Sequence, residues 1–559
     1  TVLSVFFLGL ALGSIWGGRI ADRVQRPLRW YGIVELGIAL WAVVFLLAIG
    51  LGESAVVAIL KVAGGAHLLG IALRTLMAAA FLIVPVTLMG ATLPLLAKFV
   101  TRGPVSAARI GWLYSINTIG AVLGCSAAGF ALLPALGYTR ATLVGAAINL
   151  VVGVAALAVD RPSRASGLDD AREPTTPRGA LPMGARAVAI AFAVSGFVAL
   201  ALEVVWTRLL TLVFLGTTYS FTTMLTTVLC GIAAGAGVAS LVSHRLRRPV
   251  LAFGFVQLLT GAACIGTLAL FPGLPARLQE MQLDGGYEWR AVVTAKFFLS
   301  FLALFGPTFL FGLSFPFARL AYACETSHVG RDVGSLYAWN TFGGVLGSLA
   351  GGFALIPLLG TQQSVIALAL LISVSGLALT LIAREAVVWQ RGVGALAGAS
   401  AVIAAIAIAP DDVSLGLNES YLPQGHTLLH YAEGVEGTVA VSGPANGANE
   451  SDRVLWINAV QATASIEKGV KMNRFQGMLP FLFDRDIERV LFMCFGSGVT
   501  AGTLSLNPVE RIDAIEISPD VLDAAEYFKA DNFDVVHRPQ VRAIVDDGRQ
   551  PACPAPFRP

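Results

Sequence analysis

Charge is scarce in this chain. Only 13% of its 559 residues are Asp, Glu, Lys or Arg, about half the share found in a soluble domain. The net charge of +3 is too small for an electrostatic footprint on nucleic acid, so no nucleic-acid partner is expected. The six cysteines, at 125, 230, 264, 324, 494 and 553, form no CxxC pair and no metal-ligand spacing, and no metal is expected. Four of them lie in apolar segments and read as small hydrophobes. His67, His426 and His430 likewise lack ligand spacing and read as structural.

What is plentiful is apolar surface and glycine. Hydrophobic residues make up 56% of the chain and glycines number 60, with a mean hydropathy of +0.74. Small residues let helices approach closely in lipid. Apolar stretches fall at 1–20, 28–51, 66–100, 108–133, 138–159, 187–213, 217–243, 250–271, 291–324, 334–357, 362–383 and 392–409. Each approaches or exceeds the roughly 20 residues that span a bilayer. The expected fold is a membrane α-helical bundle, with the lipid bilayer as its first partner. The two longest stretches contain Pro85 and Pro94, and Pro307 and Pro316, and are expected to be kinked or broken.

The bundle is an internal repeat. GWLYSINTIGAVLGCSAAGFALLPALG from Gly111 returns as GSLYAWNTFGGVLGSLAGGFALIPLLG from Gly334. Pro85, Gly90 and Pro94 return as Pro307, Gly312 and Pro316, and Arg26-Pro27 as Arg248-Pro249. This periodicity predicts two parallel six-helix repeats, with the first helix of repeat 1 missing. Residues 1–159 form repeat 1, 160–186 a polar Pro-rich linker, 187–384 repeat 2, and 392–409 an additional transmembrane or re-entrant helix. Arg19, Arg23, Arg26 and Arg29 crowd one loop, and Arg245, Arg247 and Arg248 its repeat-mate. Basic loops of this kind mark the cytoplasmic side. Parity then puts residues after 410 outside if 392–409 spans, and the sequence leaves that side open.

After 410 the character changes. HTLLHYAEGVEGTVAVSG and RVLWINAVQATAS alternate like strands, so 413–484 is a β-rich unit. From 485 to 559 an apolar run leads into Gly496-Ser497-Gly498, a second strand ends at Glu516, and a third ends before Asp547-Gly548. That is the β-loop-α-β order of a truncated α/β Rossmann-like half. The glycines would let the backbone approach a nucleoside ligand closely, and Glu516 would accept both ribose hydroxyls.

The pattern VLFMCFGSGVTAG, VERIDAIEISPDVLDAA and VRAIVDDGR resembles spermidine synthase and its relatives, a branch of the class I methyltransferase fold. LWINAVQ (455–461) is similar to that family's hairpin ending in a ligand-facing Gln, here Gln461. GGRIADRVQRP (17–27) is a partial match to the major-facilitator loop between helices 2 and 3, with Asp22-Arg23 in place. The whole layout resembles bacterial proteins that fuse a transporter-like membrane region to a spermidine-synthase-like domain. The resemblance implies a multi-pass protein of the bacterial inner membrane. It implies S-adenosylmethionine, or its decarboxylated form, as a substrate held by Gly496, Ser497, Gly498, Glu516, Asp547, Gly548 and Gln461, and an amine as acceptor in polyamine biosynthesis. The family's catalytic Asp follows a fourth strand, beyond residue 559, so the chain as given is expected to be inactive. Family enzymes place acids where this chain has GVKMNRFQGMLP (469–480), with Lys471 and Arg474. Those cations would repel putrescine.

Glu35, Arg74, Glu203, Arg208 and Lys296 lie within or near apolar segments. Ionisable groups in lipid are costly and face a cavity or one another. They mark either a substrate path between repeats or structural pairing. Asn117 and Asn340, repeat-mates, read as glue between helices. Two functions follow: a transferase acting on an S-adenosyl nucleoside, or a membrane transporter whose C-terminal domain is degenerate or regulatory. The oligomeric state is not legible.

Overall fold

The computed structural model describes residues 2–62, 67–100, 107–160, 183–214, 216, 218–285, 288–322, 329–410, 412–413, 419, 421–445, 452–484 and 486–548. Among the described residues, ten helical spans are long and apolar enough to cross a membrane, two of them (112–159 and 332–382) long enough to hold two helices each. The chain is a multi-pass membrane protein.

The helices run α1 (Val2–Arg23), α2 (Pro27–Val62), α3 (His67–Val100), α4 (Ala107–Ala127) and α5 (Leu133–Val159) in repeat 1. Repeat 2 holds α6 (Met183–Phe214), α7 (Thr218–Val242), α8 (Pro249–Leu268), α9 (Leu274–Gly285), α10 (Trp289–Ala321), α11 (Val329–Ala350) and α12 (Ile356–Ile382), followed by α13 (Val388–Ala407). Helix α6 begins four residues inside the expected linker; Gly184, Ala185, Arg186 and the apolar run beyond them carry nothing that breaks a helix. The prolines of α3 and α10 lie inside unbroken helices. Of the segment at 392–409, residues 392–407 belong to one continuous helix, α13.

The repeat returns in two close glycine contacts. Gly90 lies against the Leu10 carbonyl, where a β-carbon would come within 2.4 Å, and its mate Gly312 lies against the Ile232 carbonyl at 2.3 Å. Gly13 abuts the Thr87 carbonyl as Gly235 abuts Phe309, both at 2.0 Å. Each repeat also carries a π-helical turn, Ala128–Leu132 and Gly351–Leu355. Soon after each, the helix breaks at a left-handed glycine, Gly137 (φ 70°) and Gly360 (φ 76°), a conformation that glycine adopts without steric cost.

In repeat 2, α11 packs on α6 so closely that β-carbons at Gly343 and Gly347 would meet the carbonyls of Ala193 and Phe197 at 2.0 Å. The mates of these glycines on α4, Gly120 and Gly124, would meet no atom within 4 Å among the described residues; α6, the helix packed there in repeat 2, has no repeat-mate in this sequence.

The C-terminal domain has two sheets. Strands β1 (His426–Glu433), β2 (Thr438–Pro444), β3 (Val454–Ile457) and β4 (Val460–Ala464) form an antiparallel sheet in sequence order. Helix α14 (Glu467–Phe483) leads to β5 (Arg489–Met493), α15 (Val499–Leu504), β6 (Arg511–Glu516), α16 (Pro519–Ala525) and β7 (Val541–Val545). The last three strands form a parallel sheet in the order β5-β6-β7. A separate core of Phe495, Ala501, Leu504, Ile512, Ala514 and Val535 holds it together.

Tracing the helices places this domain. Helix α7 runs from the end where α6 finishes to the basic loop at 243–248, and α12 runs from Gly360 back toward that basic end. The domain touches the opposite end. Arg208 donates to the Gly434 and Val435 carbonyls at 2.9 and 3.0 Å. The Tyr421 hydroxyl donates to the Val213 carbonyl at 3.0 Å. The Gln362 side chain bridges the Pro410 carbonyl and the Val413 amide at 2.6 and 2.7 Å. The domain therefore sits at the end of the bundle away from the Arg-rich loops.

Candidate functional site

Between the repeats lies a cavity of about 1180 Å³. Repeat 1 supplies Leu10 from α1, Glu35 from α2 and Asn117 from α4; repeat 2 supplies Glu203 and Arg208 from α6 and Asn340 from α11. Aromatic rings from both halves share the wall, with Tyr114 and Phe315 tilted against each other at a centroid distance of 4.5 Å. Two residues of the C-terminal domain, Glu436 and Asn458, line the cavity as well. Both stand on tight turns, Glu436 between β1 and β2 and Asn458 between β3 and β4. Sequence reasoning missed them; the Gly434-Val435-Glu436-Gly437 turn and the Asn458-Ala459 pair were the only signal.

The intramembrane charges divide into two groups. Glu35 and Glu203 open onto the cavity. Glu35 is bonded to Tyr31, one turn earlier on its own helix. The Glu203 carboxylate has no hydrogen-bond or ion-pair partner among the described residues, and it is the neighbouring Thr207 hydroxyl that bonds to its backbone carbonyl at 2.6 Å. Arg208 reaches the cavity wall, but its guanidinium is committed to the two turn carbonyls, close to Glu433 and Glu436. Lys296 is structural: its ammonium donates to the Phe214 carbonyl at 2.7 Å and caps the last turn of α6. The Arg74 side chain lies outside the described residues. Asn340 donates to the Phe192 carbonyl at 2.9 Å, a helix–helix link between α11 and α6. Its mate Asn117 faces the cavity beside the open face of α4.

The glycine loop of the C-terminal domain forms a second candidate. Gly498 takes the left-handed conformation (φ 77°) at the N-terminus of α15, where a β-carbon would strike Phe495 and Val535. The Glu516 carboxylate lies directly behind the loop. It accepts the Phe495 amide at 2.8 Å and the Ile517 and Ser518 amides at 2.8 and 3.2 Å. In this state the carboxylate holds the loop in shape. The Ser497 carbonyl is tied to Asn532 at 2.9 Å. Gly548 packs on Met493, and the Asp546 amide bonds to the Glu516 carbonyl, so the Asp547-Gly548 turn sits next to the same strand ends. Gln461 is exposed on β4 opposite Trp456, and no hydrogen bond joins it to the glycine loop among the described residues.

Residues 469–480 lie within helix α14. Lys471 pairs with Glu467 at 2.5 Å, and Arg474 stacks on Phe533 with its guanidinium 5.0 Å from the ring. Glu526, Asp534 and His537 come within 4.8 Å of one another on the surface. The Lys529 ammonium already sits on two of them, at 2.5 and 3.9 Å, so the cluster reads as a salt-bridge network.

No known protein family matches the chain, and no curated protein matches it. Among solved structures, the crystal structure of the human organic anion transporter MFSD10 (TETRAN) resembles it at a TM-score of 0.41 and 17% identity, over 68% of this chain and 82% of that one.

Proposed function

We propose that the chain is a small-molecule transporter whose substrate path is the cavity between its two repeats, with the C-terminal domain seated over one end. The observation that carries this reading is the cavity itself. Its volume of about 1180 Å³ exceeds that of an ordinary ligand pocket, both repeats wall it, and ionisable side chains open into it. Parallel repeats about a central site are the architecture of alternating access. The test uses the full chain with its cysteines replaced. Phe311→Cys, on the cavity wall, is expected to react with a membrane-impermeant thiol reagent, while Leu371→Cys, on the lipid-facing surface, stays unlabelled. A Phe311→Cys protein that reacts from neither side ends this reading.

The second reading is a spermidine-synthase-like domain of the Rossmann type that binds an S-adenosyl nucleoside. The strand order β5-β6-β7 and the loop from Gly496 to Gly498 favour it. The engagement of Glu516 by three amides and the seat of the domain away from the basic loops count against it. By the distribution of basic residues those loops are cytoplasmic, and S-adenosyl compounds are cytosolic. Calorimetry on the full chain decides it: S-adenosylmethionine or its decarboxylated form should bind, and Glu516→Ala should weaken binding by roughly 1.5–3 kcal/mol. Equal heats for the two proteins remove this reading.

A further inference from the structure

We infer that the cavity selects an organic cation, with Glu203 as its counter-ion and Glu436 of the C-terminal domain at its mouth. The inference rests on the transporter reading and deepens it. Among the described residues the cavity is lined by three carboxylates, Glu35, Glu203 and Glu436, and one cationic side chain, Arg208. The arginine is already engaged by the Gly434 and Val435 carbonyls, with Glu433 and Glu436 beside it. Its charge is directed at the C-terminal domain and does not neutralise Glu203. Glu35 is held by the Tyr31 hydroxyl on α2. That leaves Glu203, whose carboxylate faces the void with no partner among the described residues.

Its depth matters. Glu203 lies eleven residues before Phe214, the last residue of α6, which puts it about 16 Å below the helix end at 1.5 Å per residue. A carboxylate at that depth in lipid is expensive without a charge partner, and an incoming cation supplies one. The surrounding wall suits an organic cation better than a hydrated metal ion. Tyr114, Phe192, Phe221, Phe311, Phe315 and Tyr337 all line it, and aromatic faces attract cations of low hydration. At the far end Glu436 adds negative charge where the C-terminal domain meets the cavity, so a cation meets attraction at the mouth before it reaches Glu203.

The test compares tetraphenylphosphonium with tetraphenylborate, two ions of one shape and opposite charge, on the full chain in lipid nanodiscs, with empty nanodiscs as the lipid control. The phosphonium is expected to bind at least tenfold more tightly than the borate. Glu203→Gln should weaken phosphonium binding at least tenfold, and Glu203→Asp should restore part of it, with the melting temperature reported for each to separate misfolding from lost recognition. Borate binding equal to or tighter than phosphonium overturns the inference, as does a folded Glu203→Gln protein with unchanged phosphonium affinity. If neither ion binds while Phe311→Cys is labelled, the cation assignment fails and the transporter reading stands; if Phe311→Cys is also unreactive, both fail.

Discussion

The carboxylate of Glu433, the last residue of β1, accepts hydrogen bonds from the amide and the hydroxyl of Thr361 at 2.5 and 2.7 Å. Thr361 is the first residue after the left-handed Gly360. Its amide opens a renewed helical segment and would otherwise lack an acceptor, and a carboxylate there also meets the positive end of the helix dipole. Tyr431 holds the other carboxylate oxygen. A residue of the C-terminal domain thus caps a membrane helix. Glu433→Gln is expected to lower stability by about 2 kcal/mol, read by thermal unfolding. Combined with Thr361→Val the losses should be less than additive, because both changes break the hydroxyl–carboxylate bond; simple additivity would show that this bond is not coupled to the cap.

Arg208 gives a second expectation. Its two bonds to the 434–435 carbonyls fix the turn that carries Glu436. Arg208→Ala should cost about 1.5–3 kcal/mol and raise hydrogen exchange at residues 434–437, while exchange in β5 to β7 stays as it was. Unaltered exchange in the turn would refute the anchoring role.

The contrast between Gly343 and Gly120 yields a third. Gly343→Ala drives a β-carbon into the Ala193 carbonyl at 2.0 Å, and backbone cannot yield as a side chain can. A loss of about 3 kcal/mol or more is expected. Gly120→Ala in the same chain meets nothing within 4 Å and should be neutral or slightly stabilising. Melting temperatures of the two proteins check it; equal losses would contradict the open face.

The fourth concerns pH. Burial pushes the Asp520 carboxyl above the usual carboxylate range, Asp523 adds to this, and His430 opposes it. One Asp520 oxygen is buried without a hydrogen bond. In the unfolded chain the group ionises at its ordinary value, so above that value the folded state holds the proton more tightly than the unfolded one. Stability therefore falls as pH rises through this window and is regained on acidification. Asp520→Asn should remove that component, flattening the unfolding profile above about pH 4, the ordinary value of an aspartate. A profile as steep as that of the unsubstituted protein would rule it out.

The helices were legible because lipid demands long apolar runs, and a run such as Pro249–Leu268 can be little else. The repeat was legible because close backbone contacts admit only glycine, so Gly90 and Gly312 stand in register. The glycine loop before Val499 was legible for a different reason: Gly496 and Gly498 take positive φ, which glycine adopts without steric cost. The pairings of Arg208 with residues 434–435 and of Glu433 with Thr361 were not. They join segments far apart in the chain, and no local spacing encodes them. The break at Gly360 was legible, since Thr361-Gln362-Gln363-Ser364 interrupts the apolar pattern and separates the stretches at 334–357 and 362–383. Glu35 and Glu203 stood out as charges in apolar runs, but nothing in the sequence showed that Arg208 would turn away from them.

Every anchor described for the C-terminal domain, through Val213, Arg208, Thr361 and Gln362, belongs to repeat 2. Mechanically, the domain is a rider on one half of the bundle. If the halves rock against each other, it travels with repeat 2 as a lever arm, and Glu436 sweeps across the rim of repeat 1. A small angular change deep in the bilayer would then become a larger linear stroke above it, and a load placed on the domain from outside would be felt at the joint between the repeats.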